Sequence, residues 1–368
     1  MTAAECCDGP GTAVLLAGLL AQMPDPVSAA HAAAFEAELA GWFGTRHAVA
    51  VSSGTAALHT ALAALGIGDG DEVLLPAVSV VMSAAPVVYT GARPVFADCA
   101  PDGDIDYRDL DAKLSRATRA ILPVHLWGRA SDMPRLMRFA ARRGLHVVED
   151  ACQAYGTVVG GRLAGTFGDI GCFSLKDGKI LSCGEGGFLL TNDDRAAANA
   201  RAFRTHWQAP PPGQAALARL GCNYRLAEPL AVIARGNLSR IEHLLAQRAH
   251  QAVLLASLLD QTPGLQAAVH PGDRWNGHAP LFRVTLPRPR AFCERLARAG
   301  VPNSVGTFGL VPAGQQPAFS AYRPATCPAA ARLIDTTLAV VVTARDSDER
   351  IRAFADLIDR EARQWLST

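Results

Sequence analysis

Between about Arg46 and Asp193 the chain alternates short apolar runs with stretches of helical periodicity. The runs HAVAVSS (47–53), DEVLLPAVSVV (71–81), ARPVFAD (92–98), RAILPVHLW (119–127), LHVVEDA (145–151), GCFSL (171–175) and GFLLTND (187–193) predict strands. Near-continuous apolarity predicts burial on both faces, with cover supplied by helices such as Thr55–Leu65 and Ser131–Arg143. A mostly parallel α/β sheet with right-handed crossovers follows. Three prolines and a glycine in QAPPPG (208–213) exclude both helix and central strand. Leu230, Ile233, Leu238, Ile241 and Leu245 then recur near 3.6-residue spacing. They predict one long helix over Glu228–Leu259, about 45 Å in length, bridging two domains. The remainder (HAPLFRVTL, Arg288–Ala299, Asp346–Trp365) predicts a smaller α+β C-terminal domain. The expected division is a large domain over residues 1–235, including an N-terminal helical segment, and a small domain over 236–368.

Composition narrows the function. Of 368 residues 49% are hydrophobic and 19% charged, enough to bury a full core and too apolar for disorder. Thirty-five basic against 34 acidic residues give a net charge of +1. That balance lacks the concentrated positive field that nucleic acid or a membrane surface requires, so neither partner is expected. No apolar run reaches the ~20 residues of a membrane span. Thr12–Met23 is too short, and Glu5 and Asp8 precede it in place of lysines, so it also fails as a signal peptide. It is expected to be a buried amphipathic helix. Nine cysteines, an odd count without a CxxC pair, indicate reduced thiols in a cytoplasmic protein and no metal site.

Four segments carry candidate chemistry. Ser52-Ser53-Gly54-Thr55-Ala56-Ala57-Leu58 joins a strand to a helix. It reads as a phosphate site, where unpaired N–H groups meet an anion, or as an ordinary capped helix start. EDACQAYG (149–156) puts Asp150 at the carboxyl end of an apolar strand, where open α/β sheets bind ligands; a capped strand end is the alternative. DIGCFSLKDGKILSCGEGG (169–187) holds Ser174, Lys176, Lys179 and a glycine-rich turn without a dinucleotide fingerprint. Either lysine alone reads equally as a solvated charge. GCNYRL (221–226) reads alone as a helix approach with a buried tyrosine.

In this order and at these intervals the four segments resemble the DegT/DnrJ/EryC1/StrS sugar aminotransferases. The resemblance runs from about Phe35 to Arg248. It implies a fold-type-I transferase dependent on pyridoxal 5'-phosphate (PLP, aminated form PMP), in which one cofactor carries an amine between two substrates. Lys179 takes the place of the lysine that forms a Schiff base with the cofactor, and Asp150 that of the carboxylate paired with its ring nitrogen. Gln153 matches the contact to the 3-hydroxyl, and Gly54, Thr55 and Ser174 match phosphate contacts. Asn223 matches a phosphate contact from a neighbouring subunit, which implies a homodimer with a shared active site. Some members have histidine at the lysine position and remove a hydroxyl group; Lys179 implies transamination.

The stretch Lys176-Asp177-Gly178 lacks the His-Pro of many nucleotide-sugar members. It is more similar to the branch that aminates scyllo-inosose or makes aminohydroxybenzoate, although Lys176 replaces the usual glutamine there. The expected reaction moves an amine from glutamine or glutamate to a keto-cyclitol or related ketose, in aminocyclitol antibiotic biosynthesis. A nucleotide-linked keto-sugar acceptor is the alternative, and an inactive binding or regulatory protein a further one. Val80 stands where an aromatic ring ordinarily stacks on the cofactor. Met23-Pro24-Asp25-Pro26 and Leu338–Thr343 depart from substrate-side motifs. His125, Trp127, Lys176 and Arg225 are candidate substrate contacts, His125 reading equally as a packed core histidine. Arg225 has the bidentate geometry for a donor carboxylate or a place in the dimer interface.

Overall fold

The structure, a computed structural model, describes residues 30–268, 273–322 and 326–367, with positions 13, 14, 16–18 and 21 ahead of them. Of the predicted Thr12–Met23 helix, positions 13–14 and 16–18 are helical. They are mostly exposed, with Val14 at 70%, so the expected burial is absent there. Its other positions and Met23-Pro24-Asp25-Pro26 lie outside the described residues.

The chain opens with α1 (Ala30–Phe43), β1 (His47–Val51) and α2 (Gly54–Ala64). It continues through β2 (Glu72–Pro76), α3 (Val81–Tyr89), β3 (Arg93–Ala97), α4 (Tyr107–Ala112) and β4 (Thr118–Ile121). Next come α5 (Met133–Ala141), β5 (His146–Asp150), a small hairpin β6–β7 (Val158–Val159, Arg162–Leu163), β8 (Ile170–Ser174), β9 (Gly187–Thr191) and α6 (Asp194–Phe203). Seven strands form one sheet in the order β1-β9-β8-β5-β4-β2-β3. Only β9 runs against its neighbours, pairing antiparallel with both β1 and β8. The five-residue central strands are shorter than the apolar runs that encode them. In 71–81 the ladder ends at Pro76, and Ala77–Val80 turn away to cap α3.

Helices cover the sheet as the apolar spacing demands. Phe35, Leu39 and Phe43 line one stripe of α1 at four-residue intervals and are buried. Phe43 meets Phe173 at 4.9 Å and Tyr155 at 5.2 Å between ring centroids.

The long helix predicted over 228–259 is two helices, α7 (Glu228–Leu238) and α8 (Ile241–Leu258). Polar side chains divide it. The Ser239 hydroxyl donates to the Gly236 carbonyl at 2.9 Å, and Asn237 donates to the Ser182 carbonyl at 2.6 Å while accepting from Arg240. Such side-chain bonds compete with the helical ladder, and apolar periodicity does not report them.

Beyond α8, β10 (Leu265–Ala267), β11 (Leu281–Val284) and β12 (Thr337–Ala339) form an antiparallel sheet. The helices α9 (Pro289–Arg298), α10 (Pro328–Asp335) and α11 (Asp348–Leu366) accompany it. The α/β architecture with a small C-terminal α+β portion is therefore the predicted one. Among the described residues no helix is long and apolar enough to cross a membrane, and no group of side chains has the makings of a metal site. The seven described cysteines are free thiols.

Candidate active site

The carboxyl ends of β5 and β8 and the amino end of α2 converge. Ser53 caps α2, its hydroxyl accepting from the Ala56 N–H at 3.0 Å. Gly54 follows, and a Cβ placed there would lie 2.8 Å from Ser174 Cβ and 2.9 Å from Cys152 Sγ. Only glycine lets the helix start approach both strand ends so closely. We expect Gly54→Ala to cost about 1–3 kcal/mol through overpacking. A thermal melt would show the loss, and an unchanged melting temperature would contradict this packing.

Asp150 ends β5 and is 5% exposed. A buried carboxylate needs donors. Ser83 Oγ donates to its Oδ2 at 2.6 Å, and the Cys152 N–H donates to its Oδ1 at 3.1 Å. Burial, followed by the Asp150 charge, holds the Cys152 thiol well above its usual value, so it stays neutral.

Lys179 enters from the loop joining β8 to β9. This loop folds back on itself through the Leu175 N–H donating to the Gly186 carbonyl at 2.8 Å and the Asp177 N–H to the Gly184 carbonyl at 2.9 Å. Gly178, at φ +84°, supplies the left-handed step just before the lysine. Lys179 is half-buried. Burial is the main influence lowering its pKa from the ordinary 10.5, the Lys176 and Arg248 charges adding to it and Asp150 opposing. The shift raises the share of free amine at neutral pH.

A second layer fixes Gln153. The Trp127 N–H donates to its Oε1 at 2.6 Å, which commits the carbonyl end and leaves donation to the amide NH₂. Trp127 holds that pose in a left-handed conformation, φ 61°, with its indole N–H bonded to Ser304 Oγ at 2.8 Å. Asn276 Nδ2 donates to the Gln153 and Tyr155 carbonyls at 2.8 and 2.9 Å, and its Oδ1 accepts from the His278 N–H at 2.9 Å. Arg248, 1% exposed, donates to the Val342 carbonyl and, at 3.1 Å, to the His278 carbonyl. A guanidinium keeps its proton at physiological pH. The two carbonyls therefore offset the cost of burying it.

His278 lies within electrostatic reach of both cations. Burial first, then Lys179 and Arg248, hold it well below the ordinary 6.5. It is thus neutral in the folded protein while an unfolded chain protonates near 6.5, so stability present above that pH is lost below it. His278→Gln should flatten the fall in melting temperature between about pH 6.5 and 5. An equally steep fall in that variant would remove His278 as a cause.

The other predicted residues separate. Thr55 and Ser174 are half-buried at the convergence, and Val80 is half-buried at the cap of α3. His125 is fully buried; its Nε2 lies 3.0 Å from Glu149 Oε2, and that carboxylate also accepts the Gly165, Phe167 and Gly168 N–H groups. The core-histidine reading is the one this geometry supports. Trp127 is 6% exposed and acts on Gln153 through its backbone. Lys176 is exposed at the rim. Asn223 and Arg225 are exposed on either side of Tyr224, whose hydroxyl meets His59 Nδ1 at 3.0 Å. Leu338–Thr343 contributes the last two residues of β12 and the Val342 carbonyl that Arg248 holds.

Residues 27–358 match the DegT/DnrJ/EryC1/StrS aminotransferase family. The chain belongs to that family. A Caulobacter vibrioides GDP-perosamine synthase is 40% identical over 215 residues, 58% of each chain. An Acidithiobacillus ferrooxidans UDP-N-acetyl-3-dehydro-alpha-D-glucosamine 3-aminotransferase is 34% identical over 338 residues, 89% of this chain and 87% of its own. A Streptomyces kanamyceticus L-glutamine:2-deoxy-scyllo-inosose aminotransferase is 39% identical over 244 residues, 61% of this chain and 57% of its own. Among solved structures, S. venezuelae DesV in complex with a ketimine intermediate superposes with a TM-score of 0.84 at 30% identity, covering 96% of this chain and 94% of that one.

DegT/DnrJ/EryC1/StrS aminotransferases depend on PLP, and the residues here fit it. The fit rests on a half-buried lysine with a lowered pKa, a buried carboxylate in reach of its charge, an amide whose oxygen is fixed by the backbone, and a glycine cradle that a Cβ would fill. Motif reading missed Ser83, Arg248, Asn276 and His278. Ser83 lies inside an apolar run and the others fall in segments without a local signature.

Proposed function

We propose that the protein is a PLP-dependent aminotransferase that moves an amino group from glutamine or glutamate to a keto-cyclitol or related ketose, in aminocyclitol antibiotic biosynthesis. The observation that carries the reaction is the Lys179 amine, half-buried and within reach of the Asp150 charge at the open end of the sheet. The Lys176-Asp177-Gly178 stretch and the similarity to an inosose aminotransferase support the acceptor class. Similarity to the perosamine synthase and the UDP-sugar aminotransferase favours a nucleotide-linked keto-sugar as second reading.

When bound, the cofactor supplies an electrophilic aldehyde and a ring that withdraws electrons from the donor's α-carbon. Lys179 Nζ is the amine that would hold the cofactor, and when displaced from it would be placed to act as the base that moves the donor's α-proton. Its lowered pKa suits that alternation, because the amine must be free to accept. Asp150 holds the ring nitrogen protonated. Gln153 orients the 3-hydroxyl, and the amino end of α2 with Ser174 binds the phosphate. Val80 covers the ring with less area than an aromatic side chain. The exposed Asn223 completes the phosphate site of a second copy in a homodimer.

The test begins with the pure enzyme loaded with PLP. Glutamine or glutamate should bleach its visible band, and one ketone from a panel of keto-cyclitols should restore it. Recovery only with nucleotide keto-sugars would select the second reading. An enzyme that never acquires the band would overturn both.

A further inference from the structure

We propose that Ser83 is the positioning residue that sets the Asp150 carboxylate against the cofactor's ring nitrogen; this rests on the PLP reading above. Ser83 sits in the first turn of α3 and is fully buried. A buried serine in a helix usually returns its hydroxyl to a carbonyl of its own preceding turn. Its neighbour Ser79 makes that kind of local bond, to the Pro76 carbonyl at 2.8 Å. Ser83 instead sends its one proton out of the helix to β5, reaching Asp150 Oδ2 at 2.6 Å across 67 residues of sequence.

The consequence is geometric. The Cys152 N–H holds Oδ1 at 3.1 Å and the Ser83 hydroxyl holds Oδ2, so each carboxylate oxygen has one fixed donor. A carboxylate pinned at both oxygens cannot rotate about χ2. Each oxygen keeps a lone pair, and those directions are then set by the protein before any ligand arrives. A cationic ring N–H meets a preoriented acceptor at no further entropic cost. Because Val80 caps the same helix three residues earlier, one turn of α3 fixes both the residue proposed to cover the ring and the carboxylate that meets its edge.

The experiment compares apoenzyme affinity for PLP with that for the PLP analogue whose ring nitrogen is replaced by a C–H group, followed by tryptophan fluorescence and by visible absorbance. Wild type should prefer PLP. Ser83→Ala should narrow that preference about tenfold by weakening PLP binding alone, as expected for loss of a bond to a charged group. Ser83→Thr, which keeps the hydroxyl, should restore it. Ser83→Cys, a weak donor of similar size, replaces the alanine variant if that one does not fold. The donor half-reaction, timed in single turnover, should follow the same order. An unchanged preference in Ser83→Ala, or an equal loss in Ser83→Thr, overturns the proposal. A wild type that binds both ligands equally removes the Asp150–nitrogen pairing itself and marks failure of the underlying reading.

Discussion

Lys179→Ala should leave a folded protein whose amino transfer from glutamine is slower by ~10³-fold or more, since a positioned general base contributes ~10²–10⁴-fold and the covalent anchor is lost with it. The fold should survive because the loop is held by backbone bonds from Leu175, Asp177 and Cys183, none of which involves the lysine side chain. Removing a partly buried amine with a lowered pKa also removes a destabilising charge, so the apoprotein should melt no lower than wild type at neutral pH. Added small primary amines should return part of the lost rate, because they restore a base without restoring the tether. Turnover within tenfold of wild type in single-turnover assays would displace Lys179 from the chemistry.

Asp150→Asn separates charge from shape. The amide oxygen still accepts one of the two hydrogen bonds offered by Ser83 and Cys152, so the cost in stability should be confined to about 1–3 kcal/mol for the mismatched donor. The catalytic cost should be larger. Loss of one preorganised electrostatic contact at the reacting system is worth ~10²–10³-fold, and the neutral amide provides no counter-charge for a protonated ring nitrogen. The affinity for PLP should drop while that for the nitrogen-free analogue stays level. A kcat close to wild type would mean that Asp150 serves the fold alone.

The parallel sheet was legible because its strands are buried on both faces and therefore continuously apolar; each run in 47–193 became a strand or the start of one. The roles expected at 150, 153, 174 and 179 were legible only through resemblance, since the motifs around them match the family as a set while each alone reads equally as a capped strand end or a solvated loop. Other features had no local mark. The bend at Ser239 depends on Asn237 reaching Ser182, a contact 55 residues away. His125 stands at a strand end that reads equally as pocket-lining or packed core, and only the tertiary fold decides, with Glu149 holding it in a buried network that also pins residues 165–168. Arg248 is one of several polar positions on α8, and only the tertiary fold brings it between the carbonyls of His278 and Val342.

The 223–225 segment is joined to the turn that opens α2 in its own chain. The Tyr224 carbonyl accepts the Ser52 N–H at 2.8 Å, two residues before Gly54. If Asn223 serves a second copy as proposed, titration of the apoprotein with coenzyme is expected to be biphasic, and a single-site curve would argue against that link.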